Sequence, residues 1–184
     1  GMAVLAMGKL GSRELTGESD LDLIFVYDYP DPDAISDGAR ALPAQQYFSR
    51  LSQRLINALT VPTTEGKLYE VDMRLRPSGN SGPVATRFVG FGDYQRNEAW
   101  TWEHMALTRA RVFAGEGRLV DRVEGVIADV LARPRDRAAV ARDVSEMRQR
   151  LVKEAGRGNV NPWELKLVRG GLLDIEFIAQ FLQL

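Results

Sequence analysis

The chain has 184 residues, enough to bury a real core as one large domain or two small ones. Its 24 Lys and Arg against 25 Asp and Glu leave a net charge of −1, which gives no support to general binding of nucleic acid or of a membrane surface. It has no cysteine, hence no disulfide frame and no thiolate metal site, and no apolar run approaches the ~20 residues needed to span a bilayer. No basic segment followed by an apolar stretch and cleavage site opens the sequence, so a cytoplasmic protein is expected.

"MAVLAMG" is a short apolar run ending in glycine, which suits a buried strand. "GKLGSRELTGES" is rich in glycine and hydroxyls and reads as a loop or a loop opening a short helix. In "DLDLIFVYD" Asp20, Asp22, Ile24 and Val26 share one face of a strand, with Leu21, Leu23, Phe25 and Tyr27 on the other. The turn-rich "YPDPDAISDGARALP" follows as a surface loop. From Pro43 to about Val61 the pattern is helical, with Tyr47, Leu51, Leu55 and Leu59 at four-residue spacing. "GKLYEVDMRLRP" alternates again as a strand ending at Pro77, and "VATRF" is a further strand candidate after the turn "SGNSGP".

Beyond Phe88 the strand signals fade. "FGDYQRNEAWTWEHMALTRARVFAG" reads as helix with a break near Ala99. A second helix carries Leu119, Val123, Val126, Ile127 and Val130, and a third, from about Arg135 to Ala155, buries Val140, Val144, Met147 and Leu151. "GRGNVNP" breaks it, "WELKLV" is expected to be extended, and "LLDIEFIAQFLQL" starts a last helix after Gly170-Gly171. That helix shows no stop signal, so a fragment of a longer protein is expected. Strands precede helices rather than alternating with them, which points to an α+β chain: a mixed α/β unit over 1–87 and a helical bundle over 88–184.

The pair Asp20 and Asp22 carries the chemistry. Residues i and i+2 of a strand lie about 6.6 Å apart on one face, and two ionised carboxylates there repel unless a cation sits between them. Mg²⁺ takes a few carboxylate oxygens and leaves positions for water and phosphate. A solvated strand end is the ordinary alternative for a bare D-x-D. Its neighbours favour the metal platform. Gly8 and Gly11 allow close backbone approach to a phosphate, and Ser12 adds a hydroxyl donor. No G-x-x-x-x-G-K-[ST] can be written, so this is not a P-loop. Downstream, Glu70, Asp72, Arg74 and Arg76 fall on one face of the expected strand, so that Asp72 would complete a three-carboxylate set for two cations while Arg74 and Arg76 grip phosphate oxygens. An exposed arginine–carboxylate network is the structural alternative.

This order, Gly-Ser, D-x-D on a strand, then a third Asp on a later strand, resembles the polymerase-β-type nucleotidyltransferase superfamily. "GKLGSREL", "SDLDLIF", "YEVDMRLRPSG", "NEAWTWEHMALTRAR" and "GGLLDIEFIAQ" resemble, in order, segments of the glutamine synthetase adenylyltransferase family, nearly throughout the chain. Ser12 stands where that family usually has a second glycine. "YEVDMRLRPSG" with "DYQRNEAWTWEHMAL" is similar to the C-terminal, adenylyl-transferring half of these bifunctional enzymes rather than the deadenylylating half.

The resemblance implies a nucleotidyltransferase fold with a mixed sheet and flanking helices, followed by the helical bundle. It implies ATP as substrate, with Gly11 and Ser12 on the triphosphate, Mg²⁺ on Asp20, Asp22 and Asp72, and AMP passing to a tyrosine of glutamine synthetase. Arg74, Arg76, Glu103 and Arg109 are then candidates to line the nucleotide cleft, with Arg111 and Glu176 held more loosely. Partners implied are glutamine synthetase and, through the full-length enzyme, the PII signal protein, with no nucleic acid and no membrane. His104, the only histidine, is expected to be packed or on the surface. Rival readings are a D-x-D glycosyltransferase, which leaves Asp72 and Gly11-Ser12 idle, and a regulatory module that binds PII or the synthetase without catalysis.

Overall fold

The computed structural model describes residues 1–31, 33–155 and 165–184. The chain opens with β1 (Met2–Ala6), a four-residue helix α1 (Gly8–Gly11) and β2 (Leu21–Tyr27), and β1 and β2 pair antiparallel with Leu5 opposite Ile24. After α2 (Ala44–Thr60) come a two-residue hairpin, β3 (Pro62–Thr63) with β4 (Gly66–Lys67), and then β5 (Val71–Asp72) and β6 (Ala85–Arg87). Both of these run parallel to β2 on its side away from β1. β5 lies beside the start of β2 and β6 beside its end. Helices α3 (Phe88–Asn97) and α4 (Thr101–Leu107) follow, then β7 (Arg111–Gly115), α5 (Gly117–Leu131), α6 (Arg137–Ala155) and α7 (Leu172–Gln183). β7 pairs antiparallel with the free side of β1, so one mixed sheet draws on both parts of the chain.

Burial follows the alternation of β2. Leu21, Leu23, Phe25 and Tyr27 face α2 and pack with Val4, Phe48 and Ala85. Ile24 and Val26 face the other way, into a core with Leu5, Met7, Phe91 and Leu107. The apolar stripe of α5 closes that second face: Leu119, Val123, Val126, Ile127 and Val130 are all buried there, as their helical spacing predicts. Each such side chain contributes about 1.5–3 kcal/mol by leaving water. A third cluster, Met105 with Leu173 and Phe177, joins α4 to α7 and is flanked by Val144, Met147 and Leu151 of α6.

Several expectations need correction. The run from 66 to 77 is not one strand: only Gly66–Lys67 and Val71–Asp72 are extended, and the backbone turns back after Asp72. Helix α2 forms where its spacing predicts, but the row of four divides: Leu51 and Leu59 pack against the core, Tyr47 and Leu55 are exposed, and the buried residues are Phe48 and Ser52. The helix expected to reach 115 stops at Leu107, and its last residues become β7. "GRGNVNP" and the start of "WELKLV" lie outside the described residues, while Leu165–Leu167 form a turn rather than an extended segment. No helix among the described residues is long and apolar enough to cross a membrane.

Candidate active site

The parallel pairing of β2 with β5 sets Leu21 opposite Val71 and Asp22 opposite Asp72. Paired residues on neighbouring strands point to the same face, which brings together two carboxylates fifty positions apart in sequence. Asp20 stands just ahead of β2 and is exposed; Asp22 is half-buried. Burial pushes the Asp22 carboxyl above its ordinary range, and the charges of Asp72 and Asp20 push it further, against partial relief from Arg74 and Arg109. Asp72 behaves oppositely: the Arg74 side chain hydrogen-bonded to it holds its carboxyl below the ordinary range despite partial burial. Asp20, Glu70, Asp72, Arg74 and Asn80 line an open cleft of about 440 Å³.

Helix α1 approaches from the other side. A Cβ added to Gly8, at φ +50°, would overlap the Asp22 carboxylate. One added to Gly11 would overlap the carbonyl oxygen of Arg109 and lie 2.8 Å from that of Ala6. Both glycines therefore serve close approach, Gly8 to the acidic pair and Gly11 to the backbone between α4 and β7. Arg109 binds this turn: Nε donates to Ser12 Oγ at 2.6 Å, and its terminal nitrogens donate to Glu14 at 2.7 Å and to Glu176 at 3.1 Å. Arg111 donates to the carbonyl oxygens of Leu10 and Gly11 at 3.2 and 3.3 Å, closing the C-terminal end of α1.

Asp20, Asp22, Asp72, Arg74, Gly11, Ser12 and Arg109 thus gather in one neighbourhood, and two other candidates have their polar atoms engaged by other groups. Arg76 is buried, donating to the carbonyl oxygens of Met73 at 2.7 Å and Gly82 at 3.4 Å and to Asn80 Oδ1 at 3.5 Å, so it clamps the turn after β5. Glu103 is buried with both oxygens engaged, by the Tyr94 hydroxyl at 2.8 Å and the Trp100 amide at 2.9 Å, and closes the start of α4. His104 Nε2 lies 2.9 Å from the Gln95 carbonyl oxygen, a packed position. Glu14 carries no signal in the sequence, because a lone acid in a glycine-rich loop has no pattern. Glu176 reaches Arg109 across the gap from α7.

The family model for glutamate-ammonia ligase adenylyltransferase matches residues 1–126. The bifunctional glutamine synthetase adenylyltransferase/adenylyl-removing enzyme of Rhodopseudomonas palustris (strain TIE-1) is 58% identical over 182 residues, 99% of this chain and 18% of that protein. The enzymes of the same name from Rhizobium meliloti (strain 1021) and Brucella suis biovar 1 (strain 1330) are 56% identical over 183 residues and 58% over 180, again across 18% of their length. The chain belongs to the glutamate-ammonia ligase adenylyltransferase family.

Within this family the name concerns nucleotide transfer, and the acidic cluster has matching chemistry. Three carboxylates whose charges oppose one another favour a cation, and their oxygens are the donors that Mg²⁺ prefers, so Asp20, Asp22 and Asp72 fit a divalent ion in kind. Among the described residues no three acidic or imidazole groups are drawn together closely enough to cage one. On Asp72, Arg74 occupies both carboxylate oxygens.

Proposed function

We propose that this chain is the adenylyl-transferring half of a glutamine synthetase adenylyltransferase, with a polymerase-β-type nucleotidyltransferase fold and a cytoplasmic site of action. It would move AMP from ATP to a tyrosine hydroxyl of glutamine synthetase and release pyrophosphate. The observation that supports this most is the side-by-side register of Asp22 and Asp72 against the Gly8–Ser12 turn, in a chain of this family.

The triphosphate would lie along the Gly11-Ser12 turn, and Arg74, which is paired with Asp72, would grip its oxygens from the cleft side on leaving that carboxylate. Next to Gly8 and Arg109 a cavity of about 290 Å³, lined by Leu75, Trp102, Met105 and Phe177, offers apolar walls for the base. The phenolic oxygen attacks the α-phosphorus in line; that bond forms as the bond to the bridging oxygen breaks, and pyrophosphate carries off the electron pair. The phenolic proton, held at neutral pH by a pKa near ~10, leaves as that bond forms, and Asp72 would help to accept it once Arg74 has left its oxygens. A divalent cation held by Asp20, Asp22 and Asp72 would neutralise charge gathering on the α-phosphate and favour the phenolate. PII control through the full-length enzyme belongs to the same proposal.

The relatives' names pair transfer with removal, which favours one second reading: phosphorolysis of adenylyl-tyrosine to ADP. Supplying unmodified glutamine synthetase with α-labelled ATP, and AMP-modified synthetase with phosphate, separates the two. Label moving to the synthetase is the expected result, lost at least about 100-fold in Asp20→Asn and Asp72→Asn. ADP release without transfer assigns the other half, and normal transfer by either variant overturns the site.

A further inference from the structure

We propose that Arg74 is the resident counter-ion of Asp72, a guanidinium that occupies this carboxylate until a divalent cation displaces it. The inference rests on the metal-dependent reading above and adds a residue that couples cation binding to anion binding.

Arg74 reaches both oxygens of Asp72. Its backbone amide donates to Oδ1 at 2.8 Å, its Nε donates to Oδ2 at 2.7 Å, and a terminal nitrogen pairs with the same Oδ2. The side chain is otherwise in solvent, 75% exposed, and no other hydrogen-bond acceptor among the described residues takes its guanidinium. Arg76, two residues on, is the opposite case: buried, and bound to Met73, Asn80 and Gly82. The turn after β5 is therefore held by Arg76, and Arg74 can swing without unfolding it.

Asp22 stands in register with Asp72, and the guanidinium is bonded only to the latter. A dication between the two carboxylates attracts both and doubles the charge facing each, whereas Arg74 offers one charge to one hydrogen-bonded partner. The guanidinium side of this pair stands in water, so Arg74 can exchange while the half-buried Asp72 stays in place. Once released, the guanidinium remains at the rim of the cleft that Asp20, Asp72 and Asn80 line, where a planar fork suits phosphate oxygens. By linkage, a cation that frees Arg74 strengthens binding of an anionic nucleotide, and the nucleotide strengthens cation binding by the same factor.

The test is a Mn²⁺ titration of the full chain without nucleotide, following free Mn²⁺ by electron paramagnetic resonance. Four proteins are compared: the unaltered chain, Arg74→Gln, Asp72→Asn and the double variant. Removing the competitor should lower the Mn²⁺ Kd about two- to five-fold in Arg74→Gln, and Asp72→Asn should erase that gain. Binding that is unchanged or weaker in Arg74→Gln overturns the inference. So does a gain that survives in the Asp72→Asn background, which would be a general effect of charge. If none of the four proteins binds Mn²⁺, the metal-dependent reading itself fails, and this inference with it.

Discussion

At the scale of single residues, the site depends on what is missing as much as on what is present. Gly11 is buried where α1 meets the backbone of Arg109, and no side chain fits there. Gly11→Ala should therefore force the turn outward and destabilise the fold by about 1–3 kcal/mol, read as a fall of several degrees in Tm. Gly17→Ala, with nothing within 4 Å of its added Cβ, is the control and should be nearly silent; equal Tm values for the two would refute the close-approach account. The same scale shows why charge pattern alone misassigns arginines. Arg74 and Arg76 sit two apart in one motif, yet one is solvent-exposed on Asp72 and the other is buried among carbonyl oxygens. Nothing in "DMRLRP" distinguishes them, because the distinction lies in the loop that folds over Arg76.

Among the elements, the joint between α3 and α4 carries a measurable titration. His104 on α4 meets the Gln95 carbonyl oxygen on α3, an acceptor only, so Nε2 bears a proton there. Burial pushes its pKa below the ordinary 6.5, the bond to Gln95 opposes this, and Arg135 adds to the lowering. The sign follows from linkage. The unfolded chain takes up a proton at higher pH than the folded one, so stability is fully present above 6.5 and is lost as pH falls through the folded pKa. As the only histidine, it gives a single imidazole resonance in proton NMR, whose midpoint is expected below 6.5 together with a declining Tm across the same range. A midpoint at or above 6.5 would contradict the burial of this joint. Elements with sustained periodicity were legible: β2 buries both alternating faces and α5 buries its whole apolar stripe. Short or composite ones were not. Residues 111–115 set Val112 and Phe113, which favour a strand, beside Arg111 and Ala114, which a helix accepts, and pairing with β1 decides for the strand.

For the molecule as a whole, β1 is the centre. It pairs on both sides, with β2 and β7, and its side chains enter both cores. Native-state hydrogen exchange should accordingly find the slowest amides in β1 and β2, at Leu5, Phe25 and Val26, and fast exchange in the exposed Pro62–Lys67 hairpin. Equal protection of that hairpin would mean the sheet is not the stable nucleus described. The order of residues alone settles which face of each long element is apolar, that two like charges stand at the start of β2, and the motif order that marks the family. Those properties are written in spacings of two to four residues, which local backbone geometry converts directly into faces. It takes the folded chain to set Asp72 beside Asp22, to bring residues beyond 110 back to complete the sheet, and to tie Ser12, Glu14 and Glu176 together through Arg109. These are meetings of groups separated by fifty or more positions, or by a gap between helices. They depend on strand register and on the packing of two cores at once, and no local pattern encodes either.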